Sequence, residues 1–194
     1  MKHGDFEMPN WCQNVVYVSH PNKEKMDALV EAMKQGAMFN HIVPMPEVLK
    51  DITTGGATID GVHVKEWRRD EDGNDIAIPA EELEAIKKEH GTASWYDWAL
   101  EHWGTKWDVC NPWDTDEMYV YRYDSVVHVF KFDTAWSPPF PVYEAMDNMG
   151  FHIRAEYVEY GMGFHGAWNS DGDHWHDNLD DDAEIDEHLQ SEYA

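Results

Sequence analysis

The sequence predicts an α+β fold, and three observations carry that prediction. Periods of 2 and of 3.6 residues alternate along the chain as strand, helix, helix, strand, strand, helix, strand. A weaker-patterned stretch, residues 50–91, interrupts that order after the first helix. The apolar fraction is 42% of 194 residues, with ten Trp, nine Tyr and seven Phe, enough to build a core beneath a sheet and to exclude global disorder.

Each element has its own reason. Residues 14–19, Asn-Val-Val-Tyr-Val-Ser, have the β-branched and aromatic composition of a short strand. Asn22 is placed as an N-cap. Met26, Leu29, Val30 and Met33 follow at i, i+3, i+4 and i+7, and Gly36 can supply a left-handed stop. That spacing predicts a helix laying one apolar face on the sheet.

Pro44 and Pro46 break the chain. Thr53, Thr54, Gly55 and Gly56 read as a loop. Val62 and Val64, then Ile76 and Ile78, flank Asp72-Gly73 and predict a small hairpin. Residues 79–90 predict a helix, with Glu81 and Glu82 in its first turn and Lys87 and Lys88 in its last, matching the macrodipole. The whole stretch 50–91 reads as an insertion.

Ser94 and Asp97 fit a capping box, after which Trp95, Trp98, Ala99 and His102 share one helical stripe closed by Gly104. Residues 119–123 and 126–132 predict a hairpin around Asp124-Ser125. Ser137 can cap a helix opened by Pro138 and Pro139, carried by Val142, Tyr143, Met146 and Met149, and ended by Gly150. Phe151, Ile153, Ala155 and Tyr157 alternate with His152, Arg154, Glu156 and Val158, as in a half-buried strand. Residues 161–168 fit either an edge strand or a loop. Without the insertion this is a β-α-β-β-α-β unit, which packs as one antiparallel sheet with helices on one face, a ferredoxin-like sandwich. The expected boundaries are a domain over 8–168, containing the insertion, and an acidic C-terminal tail over 169–194.

The charge is extreme. Asp and Glu number 39 against 14 Lys and Arg, a formal net charge of −25. Arg154 is the last basic residue, and twelve acids follow it without one cation. Such a chain is not expected to bind nucleic-acid phosphates directly, nor an anionic membrane. It attracts cations or basic proteins. Cys12 and Cys110 make no disulfide framework, no apolar run approaches bilayer length, and the start carries Asp5 and Glu7. The expectation is a cytoplasmic protein.

Four blocks carry a family resemblance: Met8-Pro9-Asn10-Trp11-Cys12-Gln13-Asn14, Trp103-Gly104-Thr105-Lys106-Trp107-Asp108, Phe132-Asp133-Thr134-Ala135-Trp136-Ser137-Pro138-Pro139 and Gly161-Met162-Gly163-Phe164-His165-Gly166. Together they resemble the YubB ferredoxin-like family, whose members are encoded by phages and plasmids. The resemblance implies a ferredoxin-like fold and a mobile-element origin. It implies no activity, and a fold alone supplies none.

Two clusters are candidate sites. Trp11, Trp103, Trp107, Trp113 and Trp136 lie in loops or at element ends, where they either anchor a partner or pin long connections onto the sheet. Lys106 and Asp108 are spaced to pair within their block. His165, Asp171, Asp173, His174, His176 and Asp177 form the second cluster. His174 and His176 would point the same way if extended and could share a metal with His165. No EF-hand spacing is present, and a solvated acidic segment is the simpler account.

No hydrolase elbow, Walker loop, H-E-x-x-H or dinucleotide fingerprint appears. Neither catalysis nor a cofactor is therefore expected. Tyr121, Tyr123, His128 and Phe130 lie on candidate strands where an RNA-binding sheet would carry stacking aromatics, but the RNP signature is absent. The functional expectation is a phage- or plasmid-encoded protein that docks in the basic nucleic-acid groove of a host or defence protein. The partner-facing candidates are Trp103, Trp107, Trp113, Trp136, Asp171, Asp173, Asp177, Asp180, Asp181, Asp182, Glu184, Asp186 and Glu187. The alternatives are a metal-dependent enzyme or metal-binding protein built on the 165–177 cluster, and a phage accessory protein without an inhibitory role.

Overall fold

The computed structural model describes residues 10–112, 119–122, 125–172 and 174–178. The first strand, β1 (Trp11–Ser19), begins three residues before its expected start and runs into helix α1 (Lys23–Lys34). Asn22 caps α1 as its sequence predicts, its Oδ1 accepting the Glu24 and Lys25 N–H groups at 2.8 and 3.3 Å. Met26, Leu29, Ala32 and Met33 form the buried stripe of α1. A fully buried Leu such as Leu29 stabilises by about 1.5–3 kcal/mol relative to leaving it exposed.

Two short helices follow, α2 (Met38–Ile42) and α3 (Glu47–Lys50). The insertion then builds its own antiparallel sheet from β2 (Thr53–Ile59), β3 (Val62–Arg69) and β4 (Asp75–Ala77), followed by α4 (Ala80–His90). Here the expected loop at Thr53, Thr54, Gly55 and Gly56 is corrected. These residues open β2, with an irregular register between Thr54 and Ala57 where Gly55 and Gly56 take positive φ. Pairing with β3 overrides the local turn chemistry. Leu49, Ile52, Ile78 and Ile86 tie this layer into the main core.

After α5 (Trp95–His102) come β5 (Tyr119–Arg122), β6 (Ser125–Ala135), α6 (Phe140–Asn148), β7 (His152–Glu159), β8 (Phe164–Asn169) and β9 (Trp175–Asn178). The main sheet has the order β5-β6-β1-β7-β8-β9, and every neighbouring pair is antiparallel. The chain is thus an α+β protein with antiparallel sheets. Of residues 161–168, the first three form a turn and the rest belong to strand β8, which lies inside the sheet because β9 pairs beyond it. The sheet therefore runs past the expected domain boundary at 168, as far as Asn178.

Ser137 does not cap α6. Its hydroxyl donates to the Gly104 carbonyl at 2.6 Å, and α6 opens at Phe140 behind Pro139. The alternation expected for β7 also fails at one end. Glu156 and Val158 are buried along with Ala155 and Tyr157, so both faces of this strand are covered there.

Cys12, Asn14, Val16 and Val18 of β1 are all buried, alternating with Gln13, Val15 and Tyr17 on the opposite face. The helices, Phe130, Phe132 and Trp168 complete the main core on the first face. Val15, Val129 and Val158, with Tyr17 against them, make a small separate cluster on the second. Phe130 is buried in the main core and offers no stacking surface, while His128 is half-buried. The Tyr121 and Tyr123 side chains lie outside the described residues.

Candidate functional site

The Trp103 to Asp108 block is the junction of the molecule. Trp103 is buried, its indole Nε1–H donating to the Val43 carbonyl at 2.9 Å and its ring set edge-on to Phe39 and Trp98. It is a core residue, which corrects its place among the partner-facing candidates: a large apolar ring with one satisfied donor is fixed inside. Gly104 turns at φ 77° with Pro141 packed where a Cβ would sit. The Thr105 hydroxyl both donates to the Ala135 carbonyl and accepts the Ala135 N–H, each at 3.0 Å.

Asp108 does not pair with Lys106. Its carboxylate accepts the Phe39 and Asn40 N–H groups at 2.8 Å each and also that of Val109. Burial raises its pKa, and the three backbone donors oppose the shift.

Lys106 turns outward instead. Its Nζ lies 4.2 Å from the ring centroid of Trp107, 5.6 Å from that of Trp136 and 5.9 Å from that of Tyr96. Trp11 joins the group, its ring 6.3 Å from Trp107. Trp11, Tyr96, Lys106, Trp107 and Trp136 are each half-buried. Two stretches of chain thus place three aromatic rings around one cation, with Trp11 against Trp107, and each ring contact to the cation at an exposed site contributes about 0.5–1 kcal/mol.

Trp136 is held at φ 68°, a left-handed conformation that costs a bulky residue about 1–3 kcal/mol. The surroundings fix it there. Its N–H donates to the Asn10 carbonyl and the Ser137 N–H to the Ala135 carbonyl, both at 2.9 Å, while the Thr134 hydroxyl meets the Ser137 carbonyl at 2.7 Å.

The histidines of the second cluster part company. His165 is buried on one face of the sheet, edge-on to Trp175. His174 stacks on Trp168 and its Nδ1 accepts the Asn169 N–H. His176 lies against Phe164 and meets the Tyr157 hydroxyl at 3.1 Å through Nδ1. Among the described residues no three His, Cys, Asp or Glu come together to hold a metal. Asp171 is exposed in the β8–β9 turn, and Asp177 is exposed on β9. Trp113, Asp173, Asp180, Asp181, Asp182, Glu184, Asp186 and Glu187 lie outside the described residues.

The acids of the insertion are interleaved with bases. Between residues 60 and 89 there are ten Asp and Glu and five Lys and Arg. Glu82 pairs with Arg68, Asp75 with Arg69 at 3.3 Å, and Glu84 with Lys87 at 3.8 Å. Asp70 is held below its usual carboxylate value by the Asn74 side chain and turn N–H groups. The insertion thus offers a diluted negative surface.

Sequence reasoning missed one buried polar network. Asn14 Nδ2 donates to the Cys12 carbonyl and the Thr134 hydroxyl, both at 2.9 Å, and its Oδ1 accepts the Tyr143 hydroxyl at 3.0 Å. The signal was an Asn amid apolar strand residues, which a buried strand tolerates only with partners. Burial raises the pKa values of the Cys12 thiol and the Tyr143 phenol, and that of Tyr157 is pushed up to about 12. These groups stay protonated and unreactive at neutral pH.

No family model matches the chain, and no curated protein matches it. Among solved structures the chain is similar to the crystal structure of a protein api92 from Yersinia pseudotuberculosis, of the family DUF1281. The TM-score is 0.45 at 12% identity, covering 91% of this chain and 100% of that chain. A likeness this faint carries neither fold nor function across. No helix among the described residues is long and apolar enough to cross a membrane.

Proposed function

We propose that this is a non-enzymatic acidic binding protein, needing no cofactor, that occupies the basic nucleic-acid groove of a host or defence protein in the bacterial cytoplasm. The observation that carries the reading is the net charge of −25, with twelve acids and no cation after Arg154. Solubility alone is served by a far smaller charge. A negative field of this size steers a cationic cleft toward the protein and keeps nucleic acid away from it. The half-buried indoles of Trp107 and Trp136 offer apolar anchoring beside that field.

In this reading the core is ferredoxin-like. The order β5-β6-β1-β7, all antiparallel, supports it, since a β-α-β-β-α-β unit packs its four strands that way. The mobile-element origin rests on the resemblance of the four sequence blocks to the YubB family.

The test is an affinity capture from host lysate at low and high salt, repeated with the carboxylates of residues 155–194 partly neutralised. The expected partner is a DNA-processing protein that loses DNA binding in the complex. Its affinity should fall roughly tenfold or more as salt shortens the screening length from about 10 to 3 Å. An affinity flat across that range, or unmoved by neutralisation, overturns the reading.

A further inference from the structure

We propose a second docking site at the Lys106 cluster, which takes one carboxylate set beside an apolar side chain on a protein segment. It shares the Trp107 and Trp136 indoles with the function proposed above but is built on a cation, Lys106, so neutralising the acidic segment tests that reading and Lys106→Met tests this one.

Three observations carry it. First, Lys106 has no carboxylate within ion-pair distance among the described residues, in a chain where acids outnumber bases 39 to 14. Its ammonium lies instead against the rings of Trp107, Trp136 and Tyr96. Ring faces partly strip a cation of water but accept none of its hydrogen bonds, so its three donors remain to meet an anion in a lower effective dielectric.

Second, Trp136 holds φ 68°, where Gly or Asn would be less strained. Its indole is only half-buried, so core packing does not account for it. Strain retained by a bulky residue that its surroundings over-determine marks a site of use.

Third, the rings beside the cation leave apolar surface open, since Trp107, Trp136 and the neighbouring Trp11 are each only half-buried.

The partner class follows from charge. A polyphosphate backbone, with many charges, is repelled by a body of −25 far more strongly than a single carboxylate, whose one charge Lys106 meets directly. A peptide with Glu beside Leu therefore fits, and a nucleic acid does not.

The test uses the full chain, with its tryptophan indole N–H groups labelled for NMR, titrated with acetyl-Leu-Glu-Leu-amide, its Gln analogue and adenosine monophosphate. The Trp107 and Trp136 resonances should move with the Glu peptide and respond about fivefold more weakly to the Gln analogue, the factor expected for one charge-assisted contact. Lys106→Met should erase the difference between the two peptides. Trp136→Gly should abolish the response while leaving the melting temperature unchanged or higher. A melting temperature lowered by more than about 4 °C in Trp136→Gly would identify the indole as packing and overturn the proposal. So would equal responses to Glu and Gln, no response at all, or a response to adenosine monophosphate alone.

Discussion

Asp108 caps helix α2 from outside it: its Oδ1 accepts the Phe39 N–H and its Oδ2 the Asn40 N–H, each at 2.8 Å. The helix has no cap of its own, since Ala37 stands at its N-cap. One carboxylate therefore fixes the short helix that carries Phe39 into the core. Asp108→Ala should cost about 1–2 kcal/mol by urea melts, the range for a lost cap.

The pH dependence of that contact has a definite sign. Burial raises the Asp108 pKa in the folded state. The folded protein then holds this proton more tightly than the unfolded chain. The contribution is full below the unfolded value of about 4 and declines as pH rises through the folded value. The advantage of wild type over Asp108→Asn should be greater near pH 4 than near pH 7. A gap that widens with rising pH would contradict the burial argument.

What was legible in the sequence was local. Helix α1 could be read because Asn22 and the Met26-Leu29-Met33 stripe lie within a dozen residues of one another. Ser137 looked like a cap on the same reasoning, but its hydroxyl was taken by the Gly104 carbonyl, 33 positions away. Lys106 and Asp108 looked like a pair for their adjacency, yet α2 claimed the carboxylate and three rings claimed the ammonium. The tryptophan blocks announced a cluster, but only packing sorted Trp103 inward and Trp107 and Trp136 outward. Strand β2 was hidden because Gly55 and Gly56 mimic a loop until β3 lies beside them.

Gly166 is required by space. In register it lies between Tyr157 of β7 and His176 of β9. The Tyr157 hydroxyl crosses it to reach His176 Nδ1 at 3.1 Å and the Trp175 carbonyl at 3.3 Å. A Cβ there would overlap both the Tyr157 hydroxyl and the Trp175 carbonyl oxygen. Gly166→Ala should cost roughly 1–3 kcal/mol and speed amide exchange in β9. Tyr157→Phe, which loses only the hydrogen bonds, should cost about 0.5–1.5 kcal/mol. A neutral Gly166→Ala variant would show that the edge strand does not hold this geometry.

The Asn14–Tyr143 contact joins the central strand to helix α6 through groups that water does not reach. Asn14 is 1% exposed and Tyr143 0%, so removing either leaves the other's polar atom buried without its partner. Tyr143→Phe should cost about 1–3 kcal/mol on that ground. The double variant Asn14→Ala/Tyr143→Phe should cost less than the sum of the singles by about 0.5–3 kcal/mol. Alkaline pH gives an independent check. Burial raises the Tyr143 pKa, so the folded state keeps a proton that the unfolded chain loses near pH 10. Stability is full below that pH and declines above it. Tyr143→Phe should make the decline shallower, read from denaturant midpoints at about pH 9 and 11. A variant as steep as wild type would mean that the phenol does not sit in this dry, bonded position.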